Sequence, residues 1–153
     1  MAKRTLFHIA ALLLLGMPLP ALAVLGGSVD SIRADQVLLQ ASLTVTATGP
    51  YSVHELTSPL GMVVREYVSP QGTVFAVSWH GPFLPDMKHL LGDYFGQYSS
   101  AVRQQRERQV GRSSLNIHKP SLVMQSAGHL RAYSGRVYDP GLFPTGVSIS
   151  DLR

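Results

Sequence analysis

An α+β fold on an antiparallel sheet is what this sequence predicts, and three observations carry the prediction. One turn pattern occurs twice, at Ser58-Pro59-Leu60-Gly61 and Ser69-Pro70-Gln71-Gly72, with strand-forming residues on either side of each copy. A stripe of apolar residues at helical spacing follows Pro85-Asp86. Two or three more β-rich runs come after that stripe. Strands grouped together, then a helix, then strands again give segregated rather than alternating layers.

The chain opens with a leader at residues 1–23. Lys3 and Arg4 precede an apolar run from Leu6 to Met17, and Ala21-Leu22-Ala23 supplies the small residues of a cleavage site. The run falls short of the roughly 20 residues that span a bilayer, and Pro18 and Pro20 keep it from extending further. The expectation is export, cleavage near Ala23 and a mature chain that starts at Val24. No cysteine stands after the cut, so lipid attachment there is not expected.

Residues 28–42 read as a short N-terminal helix, with Ile32, Leu38 and Leu39 as its main apolar positions. The repeated turns come next. Proline presets φ at the second turn position, and glycine provides the left-handed residue that closes a three-residue hairpin loop. They predict a meander of strands at 51–57, 62–68 and 73–79. Counting outward from each turn sets Glu55 opposite Arg65 and His54 opposite Glu66, two complementary pairs on opposite faces. One face then carries Val53, Val63, Tyr67, Phe75, Val77 and Trp79 around Glu55 and Arg65. The other carries Leu56, Val64, Val68, Val74 and Ala76 around His54 and Glu66. Both faces are apolar enough to need a cover.

A packing helix supplies one cover. Pro85-Asp86 is a start signal, Met87, Leu90, Leu91, Tyr94, Phe95, Tyr98 and Val102 form the apolar stripe, and the helix runs to about Gln109 with Gly111 as its stop. Strands at 115–118, 121–125 and 130–138 come after it, the last two joined through Ser126-Ala127-Gly128. From about residue 139 the chain is rich in proline and glycine, and it is expected to be irregular, tied down by Leu142, Phe143, Val147 and Ile149.

Composition narrows the function classes. The 153 residues carry 13 Lys+Arg against 9 Asp+Glu. Without Lys3 and Arg4 the balance is 11 against 9, a formal +2 that predicts no nucleic-acid partner. The 130 residues left after the leader suffice for a single domain over 24–153, burying roughly two-thirds of its unfolded surface. With no cysteine, the fold is held by apolar burial without disulfides, and thiol catalysis and cysteine-ligated zinc are excluded.

The segments Tyr51-Ser52-Val53-His54-Glu55-Leu56, Val63-Val64-Arg65-Glu66-Tyr67-Val68-Ser69-Pro70 and Gly72-Thr73-Val74-Phe75-Ala76-Val77 carry a resemblance. So do Gln125-Ser126-Ala127-Gly128-His129-Leu130-Arg131-Ala132-Tyr133-Ser134-Gly135-Arg136 and Pro144-Thr145-Gly146. Together they resemble a proteobacterial family of short secreted proteins, a domain of unknown function (2844). The likeness spans nearly all of the mature chain. It implies export and a single domain, and it brings no catalytic residues, cofactor or partner with it.

Each candidate site has a structural role as its alternative. Five histidines stand after the leader (His54, His80, His89, His118 and His129), but no two have chelating spacing and HExxH is missing, so no metal site and no cofactor are expected. His54 is expected to bond Glu66. Ser134-Gly135 lacks the glycine that opens a nucleophile elbow, and Glu55 and Glu66 point to opposite faces, against a paired-carboxylate site. The best ligand or partner face gathers Trp79, Tyr67, Phe75, Arg65 and Glu55; its structural alternative is core beneath the long helix. A second candidate cluster is His129, Arg131, Tyr133 and Glu66. Gly92, Gly96 and His89 project opposite the apolar stripe of the helix, which suggests close approach by another segment or simply tolerated glycine. Arg103, Arg106, Arg108 and Arg112 form a solvated helix end or a weak contact for anionic lipid.

These readings favour a non-enzymatic binding or interaction module of the bacterial cell envelope, periplasmic or secreted, with another envelope protein as a candidate partner. Two alternatives stand beside it: an envelope enzyme using the His129, Arg131, Tyr133 and Glu66 cluster, and a structural accessory of an envelope assembly.

Overall fold

The computed structural model describes residues 25–108 and 114–152. The expected leader, the expected stop at Gly111 and Arg112 lie outside them. The fold is α+β: helix α1 (Val29–Leu38), strands β1 (Ser42–Ala47), β2 (Ser52–Thr57), β3 (Val63–Val68) and β4 (Val74–Gly81), helices α2 (Met87–Leu91) and α3 (Phe95–Glu107), then β5 (Ser114–Lys119), β6 (Leu122–His129) and β7 (Ala132–Tyr138). All seven strands form one antiparallel sheet in the order β1-β2-β3-β4-β7-β6-β5.

The two repeated turns have one geometry. Gly61 and Gly72 sit at φ +83° and +82°, and each donates its N–H to the carbonyl of the serine that opens its turn, at 3.0 and 2.9 Å. The serine hydroxyls work too: Ser58 accepts from the Met62 N–H at 3.3 Å and Ser69 from that of Thr73 at 3.2 Å. Glu55 lies opposite Arg65 and His54 opposite Glu66, as counting from the turns requires.

Between β3 and β4 the count changes. Val68 pairs with Val74 but Tyr67 pairs with Ala76, so Phe75 is an extra residue on β4. A bulge shifts everything beyond it by one position, and with a side-chain period of two this reverses the face. Val77 and Trp79 therefore join Val64, Glu66 and Leu56 rather than Arg65 and Tyr67. Ala76 moves the opposite way, beside Tyr67.

Sequence patterns assign nothing between residues 42 and 51, where the structure has β1. Helix α1 stops at Leu38, Gln40 turns the chain at φ +49°, and Ser-Leu-Thr-Val-Thr-Ala then pairs along all of β2. Leu38, expected on the apolar face of α1, is 62 % exposed; Ile32 and Asp35 face inward instead. The long packing segment is present over residues 87–107. Asp86 caps it by accepting from the N–H groups of Lys88 and His89. It is broken at Gly92, whose φ of +47° leads into a 3-10 turn before α3. That conformation explains Gly92, while a side chain at Gly96 would meet open space.

The last hairpin turns at Leu130-Arg131, not at Ser126-Ala127-Gly128, which belongs to β6. Gly128 has a packing role: a Cβ there would lie 2.4 Å from the Tyr133 ring. Gly135 plays the same part under Trp79, where a Cβ would come within 2.3 Å of the indole.

The two faces of the sheet are covered differently. The helical face packs Leu56, Val64, Val77, Trp79, Met124 and Val137 against Ile32, Met87, Leu90 and Leu91. Across the sheet, Tyr67, Phe75, Ala76 and Tyr138 are roofed by the C-terminal segment through Leu142, Phe143, Val147 and Leu152. The Phe75 and Phe143 rings are 5.0 Å apart. This roof covers part of its face.

Candidate functional site

The uncovered part of that face carries a row of polar side chains. Following the register across the strands places Glu55, Arg65, Ser78, Arg136, Gln125 and Asn116 in one row from β2 to β5, on the side away from the helices. A groove of about 550 Å³ runs along this row from Arg65 to Asn116. Ser134 and His80 flank the row on one side; Leu152, from the C-terminal roof, bounds it on the other. Its volume lies within the range of small-ligand sites.

Each arginine is anchored through Nε to the next strand outward. Arg65 donates to Glu55 Oε2 at 2.7 Å, and Arg136 donates to Gln125 Oε1 at 2.9 Å. The side chains of Arg65 and Glu55 keep 32 % and 36 % of their surface exposed, so the pair is open to solvent. Neither anchor uses the terminal guanidinium nitrogens. Gly135 forms part of the floor, and Trp79 lies against it from the helical side.

The expected ligand face is thus divided. Arg65 lines the groove, and Glu55 holds it from the next strand outward. Tyr67 and Phe75 share their face but are buried under the C-terminal roof, 2 % and 0 % exposed. Trp79 is on the opposite face, carried there by the bulge. The core-under-the-helix alternative holds for Trp79 alone of the five. The signal that marks the groove is partly legible: Gln125 and Arg136 belong to a β-rich stretch, but their partnership with Arg65 depends on β4 pairing with β7, which no local pattern announces.

The second cluster is not assembled. Glu66 is buried on the helical face beside Val77, whereas Tyr133 pairs with Gly81, four residues or roughly 13 Å further along β4. His129 and Arg131 are exposed at the hairpin tip. Beneath the helices a different group forms: His89 Nε2 bonds Asp35 Oδ1, joining α2 to α1. Asp35 in turn acts on Glu66, whose carboxyl is pushed up to about 8 by burial first and by the Asp35 charge second. His54 bonds Ser52 Oγ at 3.0 Å rather than Glu66, and burial lowers its pKa. Among the described residues no group of three or more His, Asp or Glu could hold a metal ion. Arg103, Arg106 and Arg108 are exposed at the end of α3.

Fold and groove define an α+β sheet protein with helices over one face and a polar, partly open surface on the other. The chain belongs to the family described as "Protein of unknown function (DUF2844)", matched over residues 21–152. No curated protein and no solved structure matches it.

Proposed function

We propose that this protein is a non-enzymatic binding module of the bacterial cell envelope, exported by its leader, and that the polar groove receives its ligand. The observation that carries the reading is the groove itself, where anchored polar side chains converge on a sheet face that neither the helices nor the C-terminal roof cover. Anchoring restricts both arginines before any ligand arrives, which lowers the ordering cost of binding. Apolar cover of this face stops at Leu152, and the part beyond it is left open to solvent, as an antiparallel sheet allows.

Co-sedimentation with isolated bacterial envelopes tests this. The protein is expected in the pellet, and Ser134→Trp, which places a bulky ring beside the groove, is expected to leave it in the supernatant while folding normally. Wild-type protein that stays in the supernatant, or pelleting unaffected by Ser134→Trp, would remove the reading of the groove as an envelope-binding site.

A further inference from the structure

The chemistry of the groove narrows the ligand class, an inference that rests on the binding reading above. We infer that the groove binds an acidic saccharide: a hydroxyl-rich chain laid across the strands, with carboxylates held by Arg65 and Arg136 and hydroxyls held by Asn116 and Ser134.

Charge is the first argument. The row holds two guanidinium groups and the single carboxylate of Glu55, an excess of one positive charge in a concave site. A guanidinium held at Nε still presents its terminal N–H groups, a planar donor pair that matches a carboxylate. Spacing is the second. Arg65 and Arg136 both pair with Ser78, from opposite sides of β4, so their backbones are two strand spacings apart, about 10 Å. One small anion does not reach both arginines when each leans outward to Glu55 or Gln125. A chain carrying repeated carboxylates does.

The remaining lining decides between a saccharide and an acidic peptide. An extended peptide gains its affinity from pairing with an unpaired sheet edge. Here the backbone groups of β3, β4, β7 and β6 already pair with their neighbours, so the face offers side chains alone. Those side chains are hydroxyls and amides, able to donate and accept at once as sugar hydroxyls do. Among the described residues, the lining along the row offers no cluster of large apolar side chains to seat a peptide anchor.

The test is NMR titration of the protein with a defined oligogalacturonate, with its methyl ester and with polyglutamate as comparisons. Amide shifts are expected at Ser78, Gln125, Ser134 and Arg136 with oligogalacturonate. Binding should weaken about tenfold or more in Arg136→Gln and in Arg65→Gln, stay unchanged in Arg103→Gln, and fall as ionic strength rises. Each variant is checked by Trp79 emission, which reports folding from the far side of the sheet. Equal binding of the methyl ester would overturn the anionic part of the inference. Binding of polyglutamate without the saccharide, or no shift with any probe, would overturn it altogether. Envelope pelleting that Ser134→Trp abolishes, combined with no response to oligogalacturonate, leaves the binding reading standing and removes only the saccharide. Wild-type protein that stays in the supernatant yet responds to oligogalacturonate keeps the groove as a saccharide site and removes only the envelope as the source of its ligand.

Discussion

Glu66 is a buried carboxyl whose ionisation the fold opposes. It is 1 % exposed, its Oε2 has no hydrogen-bond partner, and the nearby Asp35 is paired with His89. A carboxyl in that setting stays protonated, with its pKa raised from 4.5 to about 8. Protonated Glu66 is favoured in the folded state, so its contribution is complete below about pH 4.5 and is lost as pH rises toward 8. Glu66→Gln keeps the shape and removes the titration. It is expected to match wild type near pH 4 and to exceed it at pH 8 by an amount on the order of a few kcal/mol. Urea unfolding midpoints across this range check it. Parallel pH profiles for the two proteins would show that Glu66 is not the group that titrates. His54, lowered by burial, works in the other direction, losing its contribution as pH falls below its ordinary value of 6.5.

At the scale of elements, the last hairpin has a turn its sequence does not favour. Leu130-Arg131 joins β6 to β7 with Arg131 at φ +64° and Leu130 84 % exposed. Of the two loop residues only Arg131 is left-handed, a position that glycine fills with no Cβ penalty. Arg131→Gly is expected to stabilise the protein by about 1 kcal/mol, read as a higher thermal midpoint. An unchanged or lower midpoint would mean that contacts of Arg131 already offset the strain. This turn also shows why local patterns locate some elements and misplace others. The Ser-Pro-x-Gly turns are legible because proline, glycine and the serine hydroxyl act within four residues. Ser126-Ala127-Gly128 carries a similar local signal, yet Gly128 is small to admit Tyr133 from the next strand, a contact that exists only after pairing. The bulge at Phe75 is illegible for another reason: Val74-Phe75-Ala76-Val77 is apolar throughout, so no alternation marks which residue is extra. The exchange of Trp79 between faces comes from that one residue. Strand β1 does carry an alternating pattern, but it follows the helix with no glycine or proline turn signal to mark where a strand begins.

For the whole molecule, the division of labour between the sheet faces joins stability to the site. Helices pack on one face, and the other is shared between the C-terminal roof and the groove. Export as proposed predicts a mature chain that begins at Val24, and N-terminal sequencing of exported protein checks it, an intact Met1 being the contrary result. The roof makes a sharper prediction. Tyr94 donates to Asp139 Oδ2 at 2.6 Å; burial first, and then this bond, raise the tyrosine to about 12, and the contact pins the chain where it leaves β7. Beyond that pin, Phe143 touches both Phe75 and Tyr138, and Leu152 closes onto the groove margin. Apolar burial with no disulfide holds this segment, so truncating its central ring should be felt in both places. Phe143→Ala is expected to lower stability by about 2 kcal/mol or more and to expose the Tyr67 and Phe75 rings to a hydrophobic dye. Because the margin at Leu152 depends on the same roof, envelope pelleting should weaken with it. Weakened pelleting without loss of stability would place Phe143 in ligand contact instead of under it.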